Sequence, residues 1–205
     1  MKKQVLLYGA GGHSKVVIDC LLESGVEIEG IFDDDDDLVS LNGYSVIGSY
    51  NEKESQDLEI IISIGDNQTR KKITQVVRHK YTTTIHPLAI VSKFARIDVG
   101  SMVIHGAVIQ TGVTIGKHTI VNTSSSIDHD CKLGSYVHIS PKACLCASVH
   151  VGDGTHIGAS ATILPGVKIG KWCVIGAGAV VNKDIPDFSV VIGIPGRIVR
   201  TLEIE

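Results

Sequence analysis

The chain has 205 residues, 43% hydrophobic and 20% charged, with a formal net charge of -3, as expected of a soluble globular protein of one large domain or two small ones. The mild acidity argues against a nucleic-acid binder, no apolar stretch approaches the roughly 20 residues of a membrane-spanning helix, and the short apolar run after Lys2-Lys3 breaks at Gly9, so no signal peptide is expected. Five cysteines, odd in number and without a CxxC pair, fit a reduced, cytoplasmic protein.

In chain order, Val5-Leu6-Leu7-Tyr8 reads as a buried strand, Gly9 to Ser14 as the turn after it, and Val16 to Leu22 as a helix by its apolar spacing. A strand, glycine turn and helix present free backbone N–H groups suited to phosphate, which makes Gly9, Gly11, Gly12 and His13 candidate ligand contacts. Ser14 replaces the third glycine of the dinucleotide fingerprint, and a tight turn without a ligand would use the same glycines. A second strand, Glu29 to Phe32, runs into five aspartates, where Asp33 or Asp34 stands at the position that grips ribose hydroxyls in nucleotide-binding βαβ units. A solvated loop would account for the same run. A third strand, Ile60 to Ile64, ends at Gly65-Asp66-Asn67, with a helix through Arg78 behind it. Residues 1–82 are therefore expected to form a small Rossmann-like α/β domain.

Aromatic residues make up only 4% of the chain, against 22 glycines, so a core must be assembled from aliphatics at regular intervals. From Ile85 to Val181 a branched aliphatic recurs at every sixth residue, seventeen times without an insertion. A small or β-branched residue (Ala89, Ala95, Ser101, Ala107, Val113, Thr119) stands two positions earlier, on the same side of a strand, and glycine often follows, where a corner would need its freedom. Three such sides close one coil of about eighteen residues, so residues 83–205 are expected to form a parallel β-solenoid of nearly six coils with a C-terminal tail. The spacing does not give its hand.

Nine histidines raise the question of a metal. No H-x4-H pair of the kind that holds zinc in β-helical carbonic anhydrases occurs, and no metal is expected. His129, in Asp128-His129-Asp130, falls two residues after the inward Ile127, at a coil corner, with an acid on each side. A carboxylate on one imidazole nitrogen fixes the tautomer and raises the basicity of the other, which suits a base collecting the proton of an attacking amine. A hydrated surface histidine would occupy the same place. His138 precedes Ile139 and points outward from a flat side with His156 one coil above, placed to meet a neighbouring subunit or an acetyl donor; Ser140, Ala147 and Ala159 are small residues near those levels.

The whole chain resembles the nucleotide-sugar acetyltransferases of the sialic-acid O-acetyltransferase/bacillosamine N-acetyltransferase family. The resemblance rests on Tyr8-Gly9-Ala10-Gly11-Gly12-His13, Ile64-Gly65-Asp66-Asn67 with Arg70-Lys71-Lys72, and Ile85-His86-Pro87. Asn122-Thr123, Asp128-His129-Asp130-Cys131 and Gly193-Ile194-Pro195 complete it. It implies a left-handed β-helix, a homotrimer with active sites in the clefts between subunits, and acetyl-CoA as donor. The N-terminal domain, with Gly9, Gly11, Gly12, His13, Asp33, Asp34, Gly65 and Asn67, would hold the nucleotide sugar together with Asn122. His129 would be the general base, oriented by Asp130, which stands where relatives usually carry glutamate. His138, Ser140, Ala147, Ala159 and Ala177 would lie along acetyl-CoA, and Arg197, in a departure from the usual GxPAK tail, would meet a CoA phosphate. The reaction so implied is N-acetylation of a UDP-4-amino-dideoxysugar. O-acetylation of a sialic acid, a GDP- or dTDP-linked amino sugar, or a non-catalytic nucleotide-binding scaffold are the alternatives.

Overall fold

The computed structural model describes residues 3–203. Its first part is a three-stranded parallel sheet, β1 (Gln4–Tyr8) between β2 (Glu27–Phe32) and β5 (Glu59–Ile62), with helices α1 (Gly12–Glu23) and α2 (Asn67–Val76). The strands carry continuous apolar runs because both faces are covered, and Val5, Leu6, Leu7, Ile60, Ile61 and Ile62 are fully buried. Several features differ from the sequence expectation, β5 ending at Ile62 instead of Ile64 and α2 at Val76 instead of Arg78. Helix α1 already begins at Gly12, so the glycine turn is shorter. A small hairpin, β3 (Ser40–Leu41) and β4 (Tyr44–Ser45), turns at Asn42-Gly43, both with positive φ, the dipeptide that favours such a turn.

From Thr84 onward two-residue strands stack into three parallel sheets, one per face of a triangular prism. The register advances by eighteen: Ile109 pairs with Ile127, which pairs with Leu145, which pairs with Ile163. Sixth-position aliphatics and the residues two before them fill the interior, from Val103 and Ala107 to Ala179 and Val181. Where that second position is Ser101, Thr119 or Thr155, the buried hydroxyl donates to the carbonyl of Gly116, Gly134 or Gly170, so the cost of burying it is offset. The series opens less tightly than its periodicity implied. Ile85, in the terminal coil, is 40% exposed, having no coil beneath it.

The glycines need a different account from the one their spacing suggested. Backbone with positive φ falls three residues after each sixth-position aliphatic, at every vertex from Gly100 to Gly178, and includes His118, Asp130, Tyr136 and Trp172. The glycines immediately after the aliphatic have ordinary φ. They are needed because coils stack closely: a Cβ on Gly116 would lie 2.6 Å from the carbonyl carbon of Gly134, and one on Gly152 equally close to that of Gly170.

The α/β domain lies on one face of the prism, the sheet running through Met102–Val103, Ile120–Val121, His138–Ile139 and His156–Ile157. Val17, Ile18 and Leu21 of α1 join Met102, Ile104 and Ile120 in one buried cluster. After Val174–Ile175 this face is extended by Ser189–Ile192, which pairs antiparallel with a terminal strand Arg197–Thr201. No helix among the described residues is long and apolar enough to cross a membrane.

Candidate active site

The glycine turn leaves the start of α1 open. Gly9, with φ +105, has Ile64 against the place of a Cβ, while Gly11 and Gly12 face open space at the start of α1, which has no side-chain cap. Uncapped N–H groups at a helix start favour an anion. Asp33 supports the loop, one carboxylate oxygen accepting from Ala10 N at 2.6 Å and the other from Asp35 N at 3.0 Å. Asp34 accepts from the Tyr8 hydroxyl at 3.0 Å and is itself exposed. His13 lies beside Gly65, its Nε2 buried without a partner, and burial next to Arg70 brings its pKa down to about 4.

Behind this loop lies Arg70, named in the resemblance but given no role there. Arg70 is fully buried between the domains. Its Nε donates to His118 O at 2.8 Å, Nη1 to Ile64 O and Gly65 O at 2.9 and 3.1 Å, and Nη2 to Asn67 Oδ1 and Tyr136 O at 2.7 and 3.1 Å. Burial lowers this guanidinium to about 10, which leaves it charged at neutral pH. Asn67, expected at the nucleotide, is occupied in the same junction, its Nδ2 donating to Gly154 O at 3.0 Å.

His138 is outward on its face, as expected, but the α/β domain covers it. Its Nδ1 meets Gly65 O at 3.2 Å and its Nε2 the amide nitrogen of Asn122 at 3.1 Å, which together select the Nδ1–H tautomer. The ring stacks on His156 with centroids 4.8 Å apart, and His156 Nε2 lies 2.7 Å from Ser140 Oγ. Burial, then the neighbouring His156 and Arg70, push His138 down to about 3, so it is neutral at working pH and a poor base. A cleft of about 310 Å³ opens here, lined by Asp66, Asn67, His138, His156, Trp172 and Leu202 among others.

These low histidine values imply acid sensitivity. His13, His118 and His138 titrate near 4, 4 and 3 in the folded protein, well below the ordinary value of about 6.5. Between the two values the unfolded chain binds more protons, so stability falls as pH drops through that window and is fully present above it. Melting temperature followed from pH 7.5 to 4.5 is expected to fall steadily below about pH 6.5; a flat profile would contradict the burial of these rings.

His129 occupies a different part of the molecule. It stands at a vertex stacked above Thr111 and below Ala147 and Pro165, as the contacts Asp130 N to Thr111 O, Ser148 N to His129 O and Gly166 N to Ala147 O trace. His129 Nδ1 is 2.9 Å from Asp130 Oδ2, with half of the imidazole exposed, and its backbone N–H donates to Asp128 Oδ1 at 2.7 Å. The hydrogen bond to Asp130 raises the His129 pKa above the ordinary histidine value, and it leaves Nε2 as the acceptor nitrogen.

The candidate residues thus form two sets. Gly9, Gly11, Gly12, His13, Asp33, Asp34, Gly65, Asn67, Asn122 and His138 belong to the α/β domain and the face beneath it. Ser140 closes that face, and the exposed Ala159 and Ala177 stack with Pro141 on the vertex beside it. His129, Asp130 and Ala147 share the opposite vertex, so one chain does not bring them to the cleft. Arg197 is exposed on the terminal strand, its Nη1 donating to Gly196 O at 2.9 Å.

Comparison with known proteins agrees with this architecture. Residues 4–77 match the PglD N-terminal domain, and residues 148–183 match the bacterial transferase hexapeptide, in six repeats. Perosamine N-acetyltransferase from Caulobacter crescentus, solved in complex with CoA and GDP-perosamine, is 36% identical with a TM-score of 0.91, the match covering 95% of this chain and 96% of that one. The acetyltransferase domain of PglB from Neisseria gonorrhoeae FA1090 is 36% identical with a TM-score of 0.89, over 97% of this chain and all of that one; it has also been solved in complex with acetyl coenzyme A. An uncharacterized protein of Acanthamoeba polyphaga mimivirus is 35% identical over 133 residues, 64% of this chain but only 24% of the viral protein's length. The solenoid is a left-handed β-helix, and the chain belongs to the PglD/NeuD-like family of hexapeptide-repeat nucleotide-sugar acetyltransferases. It is an acetyltransferase.

Proposed function

We propose that the chain transfers the acetyl group of acetyl-CoA to the amine of a nucleotide-linked amino-dideoxysugar, with His129 as general base. The observation that carries this reading is the His129–Asp130 contact on an exposed vertex. With Nδ1–H held by the carboxylate, Nε2 takes the proton of the amine as its lone pair attacks the thioester carbonyl; Asp130 stabilises the imidazolium that results. Collapse of the tetrahedral species expels the CoA thiolate, which regains a proton, so no acyl-enzyme is needed.

The acceptor's nucleotide lies on Gly9, Gly11, Gly12 and His13, with the diphosphate at the start of α1 and Asp33 or Asp34 toward the ribose. Gly65, Asn122 and the junction held by Asn67 border the sugar. Ser140, Ala147, Ala159 and Ala177 fit a slender pantetheine chain because their side chains are small, and Arg197 is free to meet a phosphate. His138, neutral with both ring nitrogens engaged, acts as a polar wall of the site and not as an acid. Because the two residue sets sit on opposite sides of the prism, the working site is assembled between copies, as in a homotrimer.

UDP is the expected nucleotide, and similarity to a protein solved with GDP-perosamine favours GDP as the second reading. Thermal stabilisation across UDP, GDP, dTDP and CMP tests this. A nucleotide at a hundred times its Kd adds about 2.7 kcal/mol, a shift of roughly 5 to 10 °C for a chain of this size. Thiol release from acetyl-CoA is then followed with amino and hydroxyl forms of the matching sugar. Stabilisation without thiol release from any of these acceptors would overturn transfer to the tested sugars. Release with a hydroxyl sugar alone would favour O-acetylation.

A further inference from the structure

Each vertex residue with positive φ lies directly over the vertex residue one coil before it. At three levels a glycine lies beneath a large or charged side chain. A Cβ on Gly100 would sit 2.3 Å from His118 Nδ1, one on Gly154 2.3 Å from the Trp172 ring, and one on Gly112 2.4 Å from Asp130 Oδ1. The last of these is at the His129 vertex. Asp130 N is tied to Thr111 O at 3.1 Å, so the backbone cannot yield and the carboxylate must.

We propose that Gly112 is a positioning residue for the reaction: its bare Cα lets the Asp130 carboxylate lie back over the preceding coil, the rotamer in which Oδ2 reaches His129 Nδ1. The inference rests on the reading of His129 and Asp130 as base and orienting acid. A methyl group at position 112 would swing the carboxylate about χ1, and the swing that relieves the clash also carries Oδ2 away from the imidazole. Asp130 is 65% exposed, so it finds room elsewhere, and the fold loses little by the movement. The cost falls on the geometry of the pair.

The molecule supplies its own control. Gly166 occupies the same vertex three coils on, has the same φ of +73°, and has nothing within 4 Å of a Cβ placed there. Gly112→Ala and Gly166→Ala therefore carry the same backbone strain, and only the first displaces Asp130. In the full-length protein both are expected to melt at similar temperatures. By NMR titration, the His129 midpoint should fall in Gly112→Ala to that of Asp130→Asn and stay at the wild-type value in Gly166→Ala.

Turnover should follow the titration. We expect kcat of Gly112→Ala to fall roughly 10-fold to 100-fold, as displacement of a catalytic group by about an ångström does, with KM for acetyl-CoA within twofold. The acid limb of its pH profile should move to lower pH. Should Gly112→Ala fold poorly, Gly112→Asn, a residue tolerant of positive φ, repeats the measurement. A His129 midpoint in Gly112→Ala equal to that in Gly166→Ala would overturn the proposal. A lowered midpoint with unchanged kcat would leave the seating of Asp130 intact and overturn the catalytic reading of the pair.

Discussion

Replacing His129 by alanine is expected to lower kcat by roughly 10² to 10⁴-fold, the contribution of a positioned general base, while KM for acetyl-CoA changes little. The imidazole is half exposed, and beyond Asp130 its ring has little buried packing to lose, so the variant should fold and melt like the wild type. The effect is thus separable from stability. Its pH signature is equally specific. A base must be unprotonated to act, and Asp130 raises the His129 pKa, so wild-type kcat/KM should rise with pH through a midpoint above the ordinary histidine value. In Asp130→Asn the carboxylate is gone and that midpoint should move down. Release of CoA thiol, followed against pH for the wild type and both variants, measures these quantities together. Turnover of His129→Ala within a few-fold of wild type would remove the residue from the mechanism.

The largest structural effect is expected from Arg70→Met. The methionine would fill much of the space but supply none of the donors now satisfying Ile64 O, Gly65 O, His118 O, Tyr136 O and Asn67 Oδ1. Removal of one buried partner leaves the others desolvated and unpaired at about 1 to 3 kcal/mol each. Relief of the buried charge offsets part of that, and a net loss of about 3 to 5 kcal/mol is expected, in line with other broken buried charge contacts. For a chain of this length that is a fall in Tm of roughly 10 °C or more. Arg70→Lys should be nearly as damaging, because an ammonium cannot reproduce the planar fork that reaches both domains. Denaturant or thermal unfolding decides it, and a loss below about 1 kcal/mol would mean that the carbonyls find other donors.

The contrast between those two sites explains what the sequence could and could not disclose. A solenoid repeats its own chemistry, so Ile109, Ile127, Leu145 and Ile163 announce their shared interior before any coordinates exist. His129 was legible for a related reason: its place in the six-residue beat fixes it at a corner, and its acidic neighbours are adjacent in the chain. The role of Arg70 was not legible, although the residue belongs to the matching motif. Its partners are mostly main-chain carbonyls, which every residue possesses, and they come from segments up to 67 positions away.

The docking of the α/β domain left a fainter trace. Met102, Ile104 and Ile120 are apolar at positions where a strand facing water would carry polar side chains, and all three are fully buried under α1 or beside it. The same covering places His138 against Gly65, which periodicity could not anticipate because it tells inside from outside but not what lies over the outside. For the glycines, spacing found the right residues and the wrong reason. Those after each aliphatic answer to the closeness of the next coil, a contact eighteen residues distant, and not to the bend beside them.

The prism also constrains how the protein can change length. Inserting or deleting eighteen residues adds or removes a storey and leaves every downstream side chain facing as before, whereas six residues turn everything above by a third of a revolution. A six-residue deletion between Val103 and Thr123 would carry the imidazole of His129 from the far edge to the edge that Thr123 now occupies beside the α/β domain, and Pro141 and Ala159 would turn away with the rest of the upper coils. The compass bearing of His129 is therefore set by arithmetic in the chain beneath it, and drift in loop length, harmless in most folds, is filtered here in whole storeys.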